Sequence, residues 1–205
     1  MTEVVPILEW GMAGAPFEGE VVSGDLAVVA PFSDGALVAA IDGLGHGPEA
    51  AEAAGAAAVV LEESAGDPLD TVVQRCHERI RRTRGVVMSL ASFDARTCSM
   101  SWTGVGNVAA VLLRAGDSGS SGREAVQNRG GVVGYRLPTL SIRTLVVKAG
   151  DLLIMATDGI QAGFLEGINR EESAPGVLAG SLLAKFSSGT DDALVVVARY
   201  NGRQS

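Results

Sequence analysis

The sequence predicts an α+β fold in which strands and helices form stacked layers. Three observations carry this prediction: a strand pair near the start, two consecutive helical segments, and five strand-like runs before a last helix and strand. This order lacks the strict strand-helix alternation of a doubly wound parallel sheet. Because the 205 residues show no shift in composition, we expect one domain over residues 1–205.

The first predicted elements are two strands joined by a turn. LAVVA at 26–30 and ALVAAI at 36–41 are short apolar runs, and the intervening PFSDG supplies Pro and Asp-Gly as turn residues. Asp42 then falls at the end of the second strand. A glycine-rich stretch, GLGHG, separates it from the next element.

Two helices are predicted after this hairpin. Pro48 suits the first turn of a helix, and the Ala- and Glu-rich stretch to about Ser64 favours helix strongly. A second helix starts at Asp67-Pro68 and is apolar on one side. That side carries Leu69, Val72, Val73, Cys76 and Ile80. The other face is rich in arginine, which we interpret as a solvated surface, with a partner-docking patch as the alternative.

Strand periodicity resumes at residue 86. The runs are VVMSLASFD, CSMSWTGVG, VAAVLLR, SIRTLVVK and DLLIMATD, separated by Gly, Asp and Ser turn residues. We expect a flexible loop or hairpin tip over 115–124, a helix over roughly 171–186 and a closing strand at 194–200. Cys76 and Cys98 match no zinc motif, so both are expected to be buried thiols.

Charge and hydropathy exclude several classes of partner. The 16 Lys and Arg against 24 Asp and Glu give a net charge of −8, which repels a phosphate backbone or an anionic membrane. No run approaches the ~18 apolar residues of a membrane span, and the start of the chain lacks the features of a signal peptide. We therefore expect a cytoplasmic protein that binds neither nucleic acid nor membrane.

Several familiar catalytic signatures are missing from the sequence. GLGHGP places its third glycine one residue too early for a dinucleotide-binding fingerprint, and there is no GxxxxGK[ST] motif. A Ser-His-Asp triad could draw only on His46 and His77, and no nucleophile elbow accompanies them. Covalent hydrolase and P-loop chemistry are therefore disfavoured.

Aspartates at the ends of predicted strands form the candidate site. They are Asp25 in SGD, Asp42 in IDG, Asp158 in ATDG, and Asp191 and Asp192 in GTDD. A single Asp-Gly is ordinarily a turn. Several buried carboxylates at one sheet edge, however, repel one another unless cations lie between them. Oxygen ligands without Cys or His favour Mg²⁺ or Mn²⁺.

Taken in order, SGD, DGLGHG, ATDGI and TDDALVVV resemble the metal-dependent PP2C (PPM) protein serine/threonine phosphatases, in particular their bacterial SpoIIE-like branch. The second motif of that branch also reads D-G-x-G-H-G. The resemblance covers residues 20–200, and GVGNV at 104–108 is typical of the small stand-alone stressosome phosphatases. It implies a four-layer α-β-β-α sandwich with two central antiparallel sheets.

The resemblance also implies a centre of two divalent cations, Mn²⁺ or Mg²⁺. Asp42 would bridge the ions, Asp25 and the Gly43 carbonyl would complete one site, and Asp158 and Asp191 would hold the other. Asp42, Asp158 and Asp191 would act in catalysis through a metal-bound hydroxide that attacks phosphorus. The implied substrates are phosphorylated STAS-domain stressosome proteins, RsbS- or RsbR-like, whose dephosphorylation resets stress signalling.

Two departures from the family pattern concern the proton donor and the phosphate ligand. Leu44 stands where many PP2C enzymes have a His that protonates the leaving alkoxide, and the phosphate-binding Arg of the eukaryotic enzymes has no counterpart. His46 is a candidate for proton transfer, with packing or capping of the turn as the alternative. Our working hypothesis is that water is the acid. Asn107 is interpreted as a turn residue rather than a ligand.

Two other functions stay open at this point. One is hydrolysis of a small phosphomonoester or nucleotide, which the scarcity of aromatic residues, 5 Phe, 2 Trp and 2 Tyr, disfavours. The other is binding of a phosphoprotein without catalysis. The intact set of aspartates argues against that alternative.

Overall fold

The structure is a computed structural model that describes residues 2–5, 7–116, 122–166, 168 and 174–202. These residues form eleven strands and three helices. The strands are β1 (Thr2–Val5), β2 (Leu8–Ala15), β3 (Asp25–Phe32), β4 (Gly35–Gly43), β5 (Val86–Asp94), β6 (Ser99–Val105), β7 (Ala109–Leu113), β8 (Arg123–Ala125), β9 (Arg143–Val146), β10 (Leu152–Ala156) and β11 (Ala193–Tyr200). The helices are α1 (Pro48–Glu63), α2 (Leu69–Arg79) and α3 (Pro175–Phe186).

The strands form two sheets in which every described pair is antiparallel. One sheet has six strands in the order β1-β2-β11-β10-β7-β8, and the other has five in the order β3-β4-β5-β6-β9. The six-stranded sheet therefore joins the start of the chain to its end, since β2 pairs with β11 along its whole length. The five-stranded sheet is a meander of β3 to β6, extended by β9.

Three apolar clusters define four layers. The first lies between the sheets and includes the fully buried Phe93, Trp102 and Tyr200. The second packs α1 and α2 on the outer face of the five-stranded sheet, and the third packs α3 on the outer face of the six-stranded sheet. The buried face of α1 is mostly alanine, so this helix can lie close to β3 and β4. The predicted α-β-β-α sandwich is confirmed.

Several local predictions need correction. The first 20 residues contain β1 and β2, which the sequence did not predict. Cys98 is exposed, not buried, because it lies in the β5–β6 turn with a φ of 49° and β6 begins only at the next residue. Cys76 is buried as expected. The predicted loop over 115–124 ends in a short strand, β8, and its residues 117–121 lie outside the described residues.

The predicted last helix begins later than expected. It starts at Pro175, which suits the first turn of a helix, while residues 171–173 lie outside the described residues. None of the described helices is both long enough and apolar enough to cross a bilayer.

Candidate metal centre

Strand ends from both sheets meet at one edge of the sandwich. Asp25 begins β3 and lies directly opposite Asp42, which stands one residue before the end of β4. Directly opposed residues in an antiparallel pair have Cβ atoms about 4.5–5.5 Å apart. On the other sheet, Asp158 follows the end of β10 and Asp191 precedes the start of the paired β11. The order of the strands therefore brings four predicted ligands to the same edge.

A cleft of about 350 Å³ lies between these strand ends. Its walls carry three aspartates, Asp42, Asp158 and Asp191, and we refer to it as the acidic cleft. The rest of its lining is Leu44, Gly45, Val87, Gly106, Asn107, Gly130 and Val132. The structure thus brings together the three residues predicted to act in catalysis, beside the apolar side chains of Leu44, Val87 and Val132.

Asp25 is held from the opposite sheet by Thr157. The buried Thr157 hydroxyl donates a 2.6 Å hydrogen bond to Asp25 Oδ2 and accepts a 2.9 Å bond from the Leu194 backbone N–H. One side chain therefore joins β10 and β11 of the six-stranded sheet to β3 of the five-stranded sheet. The hydrogen bond from Thr157 fixes the orientation of the Asp25 carboxylate.

The two adjacent aspartates of GTDD have different surroundings. Asp192 is buried and accepts 2.8 Å hydrogen bonds from the backbone N–H groups of Phe17 and Gly24. Asp191 lines the acidic cleft and accepts a 2.9 Å bond from the Asp192 N–H. Asp192 thus anchors the segment that leads into β3, while Asp191 has a carboxylate at the cleft.

Asn107 holds Asp158. Its side-chain amide Nδ2 donates a 2.8 Å hydrogen bond to Asp158 Oδ2, and Asn107 itself lines the acidic cleft. The sequence-based interpretation of Asn107 as a turn residue missed this contact. The GVGN stretch was visible in the sequence, but its partner lies 51 residues away. Thr157, within ATDG, was missed for the same reason.

Burial and like charge perturb two of the carboxyl groups. Burial is the main cause that raises the pKa of Asp42 to about 8, and the neighbouring Asp25, Asp158, Asp191 and Asp192 raise it further. The pKa of Asp25 is raised to about 7, again chiefly by burial, although the hydrogen bond from Thr157 opposes the shift. Carboxylates that repel one another in a poorly solvated place favour a cation between them.

The donor set fits a divalent cation with an affinity for oxygen. Across the described ranges, no three carboxylate, imidazole or thiol groups converge into a ready-made cage. Mg²⁺ ordinarily binds one or two carboxylates and keeps several waters, so a closed protein cage is not required. A main-chain oxygen also lies next to the residue that precedes Asp25: a Cβ on Gly24 would be 3.4 Å from the Gly43 carbonyl oxygen.

Only glycine fits at position 43. A Cβ at this position would overlap the Ala50 carbonyl, so a larger residue would push α1 away from the end of β4. Gly45 and Gly47 have φ values of 85° and 77°, in the left-handed region that glycine tolerates. The turn between Asp42 and α1 therefore depends on glycine for both close approach and backbone conformation.

His46 lies outside the acidic cleft. Its Nδ1 is 2.8 Å from Glu20 Oε1, its ring lies 4.8 Å from that of Phe17, and its side chain is 51% exposed. These contacts match the packing alternative. Leu44, in contrast, lines the cleft at the position where many PP2C enzymes have a histidine.

The fold and the acidic cleft define the class of protein: a two-sheet sandwich with clustered aspartates at the strand ends is a PP2C-type phosphatase domain. The sequence profile of the Stage II sporulation protein E (SpoIIE) family matches residues 33–201, and the chain belongs to this family. The predicted branch and the predicted class, protein serine/threonine phosphatases of PP2C type, are confirmed.

Three relatives illustrate the similarity. The chain is 22% identical over 184 residues to phosphoserine phosphatase RsbX of Bacillus subtilis (strain 168), covering 90% of each protein. A chain in a structure of the bacterial stressosome, described as a modular system adapted to control secondary messenger signaling, is 32% identical, with a TM-score of 0.85 over 94% of this chain and 99% of that one. RsbX in complex with magnesium has the same fold, with 19% identity and a TM-score of 0.82 over 98% and 99%.

Proposed function

We propose that this protein removes phosphate from phosphoserine or phosphothreonine of STAS-domain stressosome proteins, RsbS- or RsbR-like, and so resets stress signalling in the cytoplasm. The observation that carries the proposal is the opposed, partly buried pair Asp25 and Asp42 at the acidic cleft, whose pKa values are both raised. The similarity to RsbX and to a chain of a bacterial stressosome structure supports the substrate class. We also propose that residues 1–205 act as one phosphatase domain, which the shared core between the two sheets supports.

The proposed centre holds two divalent cations, Mg²⁺ or Mn²⁺. Asp42 would bridge them, Asp25 and the Gly43 carbonyl would complete one site, and Asp158 and Asp191 would hold the other. Bound cations would supply positive charge to the phosphoryl oxygens and lower the pKa of a coordinated water towards neutrality.

The protein's own contribution is to keep these oxygen ligands in place. Thr157 donates to one oxygen of Asp25, and Asn107 donates to one oxygen of Asp158, so each carboxylate is held in a defined orientation. Leu44, Val87 and Val132 form the apolar part of the cleft, where electrostatic interactions are stronger than in bulk water. The protein side chains that line the cleft thus position the ligands, and in this proposal water rather than His46 protonates the leaving group.

The first test is hydrolysis of p-nitrophenyl phosphate by the purified protein with EDTA, Mg²⁺ or Mn²⁺. The same preparations are then given a phosphoserine peptide and a phosphorylated STAS-domain protein. We expect turnover that requires metal and strongly favours the phosphoprotein. Asp42→Asn should lose turnover and Mn²⁺ binding together, because it removes the bridging charge while the strand keeps its shape.

Asp34→Asn is the matched control. Asp34 lies in the turn at the far end of the same hairpin, where it is exposed beside Arg96, so this variant makes the same chemical change away from the cleft. It should behave like the wild-type protein. Preference for a small phosphomonoester over every phosphoprotein would support the alternative hydrolase, and Mn²⁺ binding without turnover on any substrate would support a binding protein.

A further inference from the structure

Arg84 lies in the short connection between α2 and β5. The Thr83 hydroxyl makes two hydrogen bonds that stabilise this turn. It donates to the Ile80 carbonyl at 2.8 Å and accepts from the Gly85 N–H at 3.1 Å. Gly85 has a φ of 83°, a value that glycine tolerates. The backbone at Arg84 is therefore well defined between two elements of the core.

This turn is attached to the loop that carries Asp42. The Leu44 backbone N–H donates a 3.1 Å hydrogen bond to the Gly85 carbonyl, and Gly43 pairs with Val86 at the end of the β4–β5 ladder. Both Leu44 and Asp42 line the acidic cleft. Arg84 is thus held beside the cleft by main-chain contacts rather than by its own side chain.

The guanidinium of Arg84 lies over Gly45. A Cβ on Gly45 would be only 2.7 Å from Arg84 Nη1, so the glycine leaves the space that the guanidinium occupies. Gly45 is itself part of the cleft lining. Among the described residues that line the cleft, none is basic, so Arg84 brings positive charge to the rim on the Gly45 side.

Arg84 forms an exposed ion pair that another anion can replace. Its Nη2 pairs with Glu49 Oε2 in the first turn of α1, and the two side chains are 48% and 66% exposed. Ion pairs between such exposed groups contribute little to stability, because solvent screens them and both side chains lose freedom. The planar fork of a guanidinium also binds phosphate oxygens in a bidentate manner, with more negative charge than a carboxylate offers.

We propose that Arg84 is a substrate-binding residue that leaves Glu49 to bind the phosphate group of the substrate at the Gly45 side of the acidic cleft. The proposal rests on the phosphatase function given above. Arg84 then supplies affinity for phosphate, and Glu49 competes with the substrate for the guanidinium. No bond is made or broken by Arg84 in this step.

The experiment compares four variants with the wild type in Mn²⁺: Arg84→Gln, Arg84→Lys, Glu49→Gln and the control Arg82→Gln. Arg82 is an exposed arginine in the same connection. The measurements are KM and kcat for p-nitrophenyl phosphate, the inhibition constant of inorganic phosphate, and direct calorimetric binding of inorganic phosphate to the metal-loaded protein.

We expect Arg84→Gln to weaken phosphate binding and raise KM about tenfold, the loss of one charge-assisted contact. Arg84→Lys should restore part of this, because it keeps the charge without the fork. Glu49→Gln should tighten phosphate binding two- to threefold, as expected for removal of a weak exposed competitor. Arg82→Gln should match the wild type, and Mn²⁺ affinity should change little in all four.

Equal phosphate binding and KM in wild type and Arg84→Gln would overturn the proposal. So would weaker phosphate binding in Glu49→Gln, since the ion pair would then be needed to hold the site together. A wild-type protein that binds phosphate through Arg84 but hydrolyses no phosphoester would contradict the proposed function alone. An active protein indifferent to Arg84→Gln would contradict this inference alone.

Discussion

Two carboxylate regions of this protein differ in their partners. Asp151, at the start of β10, is buried and accepts hydrogen bonds from Arg114 Nη1 at 2.8 Å, from Ala115 N–H at 2.9 Å and from Lys148 N–H at 3.1 Å. Asp25 and Asp42 are partly buried, and they face each other and further aspartates. The first region is satisfied within the chain, whereas the second is not.

The difference teaches how a structural aspartate is distinguished from a ligand-binding one. Burial does not make the difference on its own, since all three carboxylates lose part of their hydration, Asp151 most completely. What separates them is whether cationic or N–H donors compensate the charge. At Asp151 the chain supplies the compensation, and at Asp25 and Asp42 we propose that divalent cations supply it. The following predictions test this comparison, from the largest expected effect to the smallest.

The largest effect should come from Asp42→Asn. We expect at least about a thousandfold loss of kcat, because the proposed bridging ligand is lost. The same change should stabilise the metal-free protein at pH 8 by on the order of a few kcal/mol, since it removes a partly buried carboxylate whose pKa is raised to about 8. Thermal unfolding in EDTA measures this directly. A destabilised variant would mean that Asp42 is compensated within the chain, as Asp151 is.

The stability of the metal-free protein should fall as pH rises. Asp25 and Asp42 have folded-state pKa values raised to about 7 and about 8 from 3.8, so the folded protein keeps protons that the unfolded chain releases. Their stabilising effect is present below about pH 4 and is lost between pH 4 and pH 8. Denaturant unfolding in EDTA across this range measures the loss, which Mg²⁺ or Mn²⁺ should reverse most strongly at pH 8. A free energy of unfolding that rises over this range in EDTA would contradict the assignment.

Asp151→Asn should have the opposite consequences from Asp42→Asn. Removal of the charge weakens the buried pair with Arg114 and leaves N–H donors poorly matched, so we expect a loss of about 3 kcal/mol. Mn²⁺ affinity and KM for p-nitrophenyl phosphate should stay as in the wild type. Urea unfolding measures the loss of stability, and a Mn²⁺ titration measures metal affinity. Altered metal binding would show that the two regions are not independent.

Thr157→Val should affect stability and metal binding by smaller amounts. It removes the donor to Asp25 and leaves the Leu194 N–H without its acceptor, so a loss of about 1–3 kcal/mol is expected. The pKa of Asp25 should rise further because the hydrogen bond from Thr157 lowers it, so Mn²⁺ binding should weaken at pH 7 and recover towards pH 9. Thr157→Ser should restore both properties. Failure of serine to restore Mn²⁺ binding would assign Thr157 a packing role instead.

The strand-end aspartates could be predicted because their signal is local. Asp42 follows an apolar run and precedes a glycine-rich turn, and strand ends of one sheet edge meet wherever the sheets form. The partners of these aspartates could not be predicted in this way. The hydrogen bond from Thr157 to Asp25 spans 132 residues, and those from Phe17 and Gly24 to Asp192 span 175 and 168. Such contacts depend on how the two sheets pack.

The fold was predictable to a similar degree. The hairpin, α1, α2 and the strands after residue 86 have clear periodicity and turn residues, and all of them are present. The strand β2 was missed because LEWGMAGA contains two glycines and lacks clean alternation, a composition that disfavours strand when read alone. Its pairing with β11 places Ala15 opposite Ala193 and Leu8 opposite Tyr200. This long-range pairing is a tertiary effect that overrides local propensity.

His46→Ala should have the smallest effect. His46 contacts Glu20 and Phe17 at the surface and does not line the acidic cleft, so we expect kcat to change by less than about threefold and Mn²⁺ affinity to stay unchanged. The pH dependence of kcat should also be unaltered. A loss of more than tenfold with metal binding intact would instead indicate that His46 moves to the cleft and transfers a proton to the leaving group. The comparison would then need a third category, a residue whose catalytic contact forms only when substrate is bound.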